Sequence, residues 1–221
     1  MFQVNPRVQG VKSELLELYR DVCTSTIGHL TDFGFLKGIQ PLFRPARFIG
    51  NAVTVRIPHM DSSAVHKVMD LVQPGDVVVV DMSGDVERSC WGGMVSYAAH
   101  VKKVAGVIVA GCVNDVDEIA ELGLPVFSFG ISPLTTRILG IEGEINTTVS
   151  ICGVSVHPGD LVVADNDGVF VVNPEAASKY GRIALQKQRQ EPETKRKLDA
   201  GESIASISGA NRFFVNSEQH A

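Results

Sequence analysis

The chain has 221 residues, 44% hydrophobic and 20% charged, with a formal net charge of −5. That is enough apolar chain for one large domain with a packed core. The acidic balance argues against direct nucleic-acid binding, because phosphate-binding domains carry a basic face. No run reaches the roughly 18 apolar residues of a membrane span, and Met1 to Gly10 lacks the pattern of a secretory leader. The four cysteines, Cys23, Cys90, Cys112 and Cys152, form no CxxC pair. These features predict a cytoplasmic chain with reduced, packed thiols and no membrane association. Without a secretory leader, the sequon Asn146-Thr147-Thr148 carries no weight.

In chain order, Val11 to Val22 carries Leu15, Leu16 and Tyr19 at helical spacing. A second helix is expected from about Ser25, ending near Gly34. Phe48 to Pro58 alternates as a strand, with Val53, Val55 and Ile57 on one side. Ser62 to Val72 suits a short helix. Strands are then predicted at Val77 to Val80, Val107 to Ala110 and Val126 to Phe129, separated by helices at Trp91 to Lys103 and Val116 to Leu122. In the first of these helices, Trp91, Met94, Val95, Ala98 and Val101 are expected to share the buried face. Alternating strands and helices imply a partly parallel central sheet flanked by helices, an α/β fold. Gly143 to Val172 reads as mostly strands, and Pro174 to Gly201 as one long charged helix or a pair. The mixed charges of Lys187 to Lys197 read as a solvated helix face. No linker divides the chain, so residues 1–221 are expected to form one domain, with helices at about 11–34, a core at about 48–172 and a helical segment at about 174–201.

One turn-and-strand unit occurs twice. Pro74-Gly75-Asp76 leads into Val77 to Asp81, and Pro158-Gly159-Asp160 leads into Leu161 to Asp165. Pro-Gly makes the turn and the apolar run makes a buried strand. Asp165-Asn166-Asp167-Gly168 lacks the remaining ligands of a calcium loop and reads as a turn between strands. His29, His59, His66 and His100 show no metal-binding spacing and read as surface or core-edge residues.

Ligands of parallel α/β sheets bind beyond the carboxyl ends of the strands. Two loops leave such ends: Asp81 to Trp91, and Gly111 to Asp115. The first leads into Trp91-Gly92-Gly93-Met94. Two glycines at a helix start allow close backbone approach, and free N–H groups there favour an anion; the same pattern also suits a tight turn with no ligand. The second carries Asn114-Asp115-Val116-Asp117-Glu118. Its carboxylates could hold a hard divalent cation, and Asp115-x-x-Glu118 is equally a capping box. The two roles can coexist. There is no GxGxxG or P-loop pattern.

These motifs, in this order, resemble the family of the regulator of ribonuclease E activity A (RraA-like), which includes the 4-hydroxy-4-methyl-2-oxoglutarate aldolases. The similarity runs from about Ser25 to Gly201 and takes in both Pro-Gly-Asp turns, Trp91-Gly92-Gly93, Gly106 to Val109, Gly130-Ile131-Ser132-Pro133 and Asp165 to Gly168. It implies a swivelling-type β/β/α domain, homotrimers or hexamers with sites between subunits, and Mg²⁺- or Mn²⁺-dependent carbon–carbon bond cleavage of pyruvate-derived 2-oxo acids. The family motif is a glycine or aspartate, twenty residues, Arg-Asp, two residues and an acid. Gly93, Asp115 and Glu118 occupy the first, metal-binding and closing positions. Asn114 stands where the family has arginine.

The resemblance therefore implies that Asp115 and Glu118 face the metal, while Gly92, Gly93, Met94, Val95 and Asn114 contact the substrate. A guanidinium offers permanent charge and a fork that matches a carboxylate, and an amide does not. Arg88, on the other loop, could supply the missing cation, or it could pair with Asp85 or Glu87. Three functions follow: a 4-hydroxy-4-methyl-2-oxoglutarate retro-aldolase or oxaloacetate decarboxylase; a lyase of altered substrate; or a catalytically weakened relative that binds proteins, in the manner of a ribonuclease E inhibitor.

Overall fold

The computed structural model of the chain describes residues 1–58 and 60–214. The reading of His59 lies outside them. Among the described residues there are twelve strands: β1 (Phe2–Val4), β2 (Gln40–Pro41), β3 (Phe48–Arg56), β4 (Asp76–Asp81), β5 (Ser89–Trp91), β6 (Gly106–Val113), β7 (Val126–Ile131), β8 (Gly143–Ile145), β9 (Val149–Ile151), β10 (Val154–Val156), β11 (Leu161–Asp165) and β12 (Gly168–Val172). The α-helices are α1 (Ser13–Tyr19), α2 (Thr24–Gly28), α3 (Ser63–Lys67), α4 (Gly93–Val101), α5 (Val116–Leu122), α6 (Pro174–Gln188), α7 (Glu191–Asp199) and α8 (Ile204–Ser208). No helix among the described residues is long and apolar enough to cross a membrane.

The main sheet runs β1-β8-β3-β4-β6-β7-β2. Strands β3, β4, β6 and β7 are parallel, β5 adds to the end of β6, and the β11–β12 hairpin joins β3 antiparallel. Every residue of β4 and β6 is buried, as expected for strands covered on both faces. Their side chains alternate between two cores. Val78, Val80, Val107 and Val109 pack on one face with Trp91 and Ile119, while Val77, Val79 and Ile108 pack on the other with Phe48 and Phe127. A third cluster fastens α1, α2 and α6 to the hairpin through Tyr19, Ile27, Val163, Phe170 and Ala184. The result is a mixed α/β fold with a mostly parallel central sheet flanked by helices.

The repeated turns are alike in geometry. Gly75 and Gly159 have φ of 88° and 87°, a left-handed conformation in which a side chain is strained. The following aspartates each accept a backbone N–H from three residues upstream, Gln73 and His157, both at 2.8 Å. The two strands they introduce lie on either side of β3: Asn51 pairs with Asp76 on one side and with Leu161 on the other.

Several expectations are corrected. The α1 and α2 helices are shorter than their periodicity suggested. The α4 helix begins at Gly93, and Trp91 belongs to β5, fully buried, with its Nε1–H donating to Ser96 Oγ at 2.8 Å. The buried face of α4 is Gly93, Ser96 and Ala99. Of the expected face, Val95 and Ala98 do pack against the core, half-buried, while Met94 and Val101 are 78% and 60% exposed. Small residues let the helix lie close to the sheet, and that close approach decides which face is covered. Cys152 is exposed in a turn instead of packed, and Cys23 is half-buried; Cys90 and Cys112 are buried as expected. Asn146 of the sequon is buried, with its Nδ2 donating to Asn5 O at 3.1 Å. The C-terminal segment is a pair of helices, α6 and α7, and α7 buries no residue.

Candidate active site

Because β4 and β6 are adjacent and parallel, the loops that follow them emerge at the same edge. Each loop is set by local hydrogen bonds. Asp81 Oδ1 accepts from Ser83 N at 2.7 Å. Asp85 turns the chain by accepting from Glu87 N and Arg88 N at 2.9 and 3.0 Å. Strand β5 then runs along the end of β6, with Ser89 beside Cys112 and Trp91 beside Val113, and Asn114 N donates to Trp91 O at 3.0 Å. This pairing brings Gly92-Gly93 against Asn114-Asp115.

Asp115 sits at φ 54° and ψ 45°, a left-handed conformation, and precedes the first turn of α5. Its side chain makes no cap on its own helix, so the capping-box expectation is corrected. A capping residue normally has extended φ/ψ, and the left-handed backbone removes that geometry. Instead Asp115 Oδ2 accepts the Gly93 N–H at 2.9 Å, at the start of α4, and Asn114 Nδ2 donates to Oδ1 at 3.1 Å. The carboxylate thus ties the two loops together. Asp115 and Glu118 are both exposed and Asn114 is half-buried.

The glycines follow from the same crowding. A Cβ on Gly92 would lie 2.6 Å from both Asn114 Oδ1 and Asp115 Oδ2. A Cβ on Gly93 would collide with the Glu118 carboxylate and lie 3.4 Å from Asp115 Cβ. Asp115 and Glu118 therefore converge on the same small volume beside Gly93. The backbone N–H groups of Met94 and Val95 find no acceptor among the described residues. Of the N–H groups expected to meet a substrate, that of Gly93 is already engaged by Asp115. Asp117 does not complete a cluster: among the described residues no three acidic, histidine or cysteine side chains gather in a metal-binding arrangement.

Arg88 has a partner. Its Nη1 is 2.9 Å from Asp85 Oδ2, the pairing that the sequence offered as one of its two roles. Burial would raise the Asp85 carboxyl, but hydrogen bonds from Arg88 and Glu87 outweigh it and hold it below the usual range.

The reading of the sequence missed the clasp that holds the third loop at this edge. Residues 132–142 follow β7 and cross back over β5. Ser132 N donates to Val113 O, and Leu134 O and Thr136 N bond to Ser89. The loop then closes on Asp61, which is 1% exposed. Its carboxylate accepts from Leu139 N (3.1 Å), Ile141 N (2.6 Å), Glu142 N (3.1 Å), Ser63 N (2.9 Å) and Ser63 Oγ (2.5 Å). Burial alone would raise this carboxyl, and the hydrogen bonds from Ser63, Ile141 and Leu139 reverse the effect and hold it far below the usual carboxylate range. The signal along the chain is confined to Asp61-Ser62-Ser63, an Asx-turn pattern.

The fold and this edge define an α/β protein with paired carboxylates and free backbone donors beyond the ends of parallel strands. The chain belongs to the RraA-like family (Aldolase/RraA), whose sequence model matches residues 20–171. A protein of Halalkalibacterium halodurans named "Putative 4-hydroxy-4-methyl-2-oxoglutarate aldolase" is 32% identical over 187 residues, 84% of this chain and 89% of that protein. An uncharacterised protein of Methanocaldococcus jannaschii is 32% identical over 186 residues, 82% of this chain and 89% of its own length. Among solved structures, Streptomyces coelicolor RraAS2, described as an unusual member of the RNase ES inhibitor RraA protein family, superimposes with a TM-score of 0.76. The two are 28% identical, and the match covers 85% of this chain and 98% of that one.

Proposed function

We propose that the chain is a divalent-metal-dependent carbon–carbon lyase acting on pyruvate-derived 2-oxo acids, as a retro-aldolase or an oxaloacetate-type decarboxylase. The observation that carries this reading is the convergence of Asp115 and Glu118 beside Gly93, next to the unspent N–H groups of Met94 and Val95. The donor set fits Mg²⁺ or Mn²⁺. Both are hard cations, and Mg²⁺ is commonly held by one or two carboxylates with several waters. Each oxygen of Asp115 accepts one hydrogen bond and retains acceptor capacity. When bound, the cation supplies Lewis acidity to the substrate's keto oxygen. Asp115 would anchor it and Glu118 would hold its waters. Met94 and Val95 N–H would orient the substrate carboxylate at the positive end of α4. The names of the aldolase-like relatives support the reading. Screening 2-oxo acids with Mg²⁺ or Mn²⁺ for pyruvate release tests it; no metal-dependent release from any of them would refute it.

Asn114 bears on which substrate is taken. It gives its amide to Asp115 and carries no charge. The other N–H groups of Arg88 bond to no described residue, so this side chain is the candidate cation on the facing loop. Arg88→Ala is expected to lower kcat/KM tenfold or more, since losing one such donor costs on the order of 10²–10³ in rate. Asn114→Arg is expected to raise turnover of oxaloacetate. If Arg88→Ala changes kcat/KM by less than about twofold, Arg88 serves only as the partner of Asp85.

The reading includes assembly as a homotrimer or hexamer. Met94, Tyr97 and Val101 on α4 and Ile131, Ile138 and Ile141 at the same edge are exposed, and apolar side chains in such numbers suit a protein contact. Light scattering is expected to give three or six times the 23.8 kDa chain mass; a stable monomer at micromolar concentration would remove any shared site. The same surface, with the loss of the arginine, supports the second reading, a protein-binding regulator of the ribonuclease-inhibitor type. Capture of a ribonuclease, without metal-dependent turnover, would favour it.

A further inference from the structure

The two Pro-Gly-Asp turns have the same backbone but differently satisfied aspartates. Asp76 is 1% exposed. Its oxygens are met by Arg7, with Nη2 at 2.5 Å from Oδ1 and Nε at 2.8 Å from Oδ2, a two-pronged guanidinium–carboxylate pair. Asp160, its counterpart, is 5% exposed. Its Oδ2 accepts from His157 N at 2.8 Å and lies 3.3 Å from His157 Nδ1. Its Oδ1 accepts no hydrogen bond from any described residue. Among the described residues no arginine or lysine answers it, and His157, the partner it has, is charged only when protonated. The Oδ1 oxygen reaches solvent, so it is open to a hydrogen-bond donor from outside the chain.

Asp160 lines a cavity of about 370 Å³ at the opposite end of the sheet from Asp115, walled by Phe33 and Tyr180 and edged by Ser155, His157 and Asn173. Its size suits a small molecule. Phe33 is 86% exposed and lines the same cavity as Asp160, so the cavity carries an uncovered aromatic ring as well as a carboxylate. A cavity lined by a carboxylate and aromatic side chains can attract an organic cation through charge-assisted hydrogen bonds and cation–π contact.

We propose that this cavity binds a small organic cation, an amidine, guanidine or amine with a flat or apolar body, whose N–H groups engage the Asp160 oxygen that the chain leaves free. The bound cation takes at Asp160 the place that Arg7 takes at Asp76. The site is independent of the proposed lyase chemistry.

The test is calorimetric titration of the full chain with benzamidine, and with benzoate and benzyl alcohol as anionic and neutral counterparts of similar shape. Benzamidine is expected to bind with a Kd below about 1 mM, and the other two at least tenfold more weakly. Asp160→Asn keeps an acceptor for His157 N–H and is expected to weaken benzamidine at least tenfold. Phe33→Ala, at an exposed position, is expected to weaken it several-fold, and this variant decides the matter should Asp160→Asn fail to fold. Asp115→Asn is expected to bind benzamidine unchanged. The proposal is overturned if benzoate binds as tightly as benzamidine, if affinity survives in the folded Asp160→Asn or in Phe33→Ala, or if it is lost in Asp115→Asn, which would place the cation at the other edge.

Discussion

Asp115→Asn is expected to lower Mn²⁺ affinity about 100-fold or more, beyond the 10–100-fold typical of losing an outer-shell partner, and to abolish metal-dependent turnover. The fold should survive. Asparagine tolerates the left-handed backbone that Asp115 adopts, and its amide oxygen can still accept the Gly93 N–H that the carboxylate now holds. Thermal unfolding should therefore place the variant within about 1 kcal/mol of the parent. Asp115→Ala is different. It removes the acceptor that joins α4 to the second loop and puts a residue that disfavours the conformation at positive φ, so about 1–3 kcal/mol of stability should go as well. Calorimetric titration with Mn²⁺, run beside thermal melts, separates the two effects. Equal Mn²⁺ affinity in Asp115→Asn would leave Asp115 as a tie between two loops and nothing more, and the lyase reading would lose its metal anchor.

The largest expected change in stability comes from Asp61→Ala. The substitution strips the acceptor from the N–H groups of Ser63, Leu139, Ile141 and Glu142. An unsatisfied buried donor costs about 1–3 kcal/mol, and water will rescue some of these; a total near 3 kcal/mol is expected. For a chain of this size that is a fall of about 6–12 °C in Tm. The same carboxylate makes stability depend on pH. Its pKa is depressed in the folded state relative to about 3.9 in the unfolded chain. The folded state thus binds the proton less readily, and the stabilisation is complete above the unfolded value and drains away as pH falls below about 4. The stability gap between the parent and Asp61→Asn should be full at pH 6 and shrink steadily towards pH 2. A gap that stays constant over that range would show that the carboxylate charge contributes nothing to the clasp.

Much of this molecule was legible before its structure. The apolar runs at Val77 to Val80 and Val107 to Ala110 identify doubly covered strands, because a strand buried on both faces has no polar alternation to hide. The helices between them, the repeated Pro-Gly-Asp turns, the hairpin at Asp165 to Gly168 and the placing of Asn114 and Asp115 beyond a strand end all follow from local pattern and turn chemistry. The family motifs carried the resemblance for the same reason: each is a short, contiguous run.

What the sequence could not supply depends on residues distant along the chain. Asp115 looked like a cap for its own helix, yet it satisfies Gly93, 22 positions away, because β5 and β6 bring the two loops together. The outward face of α4, with Met94 and Val101 exposed, was hidden because periodicity counts apolar residues and close packing selected the small ones. Asp61 grips a loop some eighty residues later. Asp76 and Asp160 share the Pro-Gly-Asp run and its turn, and only the tertiary structure gives one of them an arginine and leaves the other facing a cavity. Backbone preference and hydrophobic period act over a few residues, so the chain alone determines its elements. Pairing of charges and hydrogen bonds acts across space, and which partners meet is decided only when the sheet has brought its loops to a common edge.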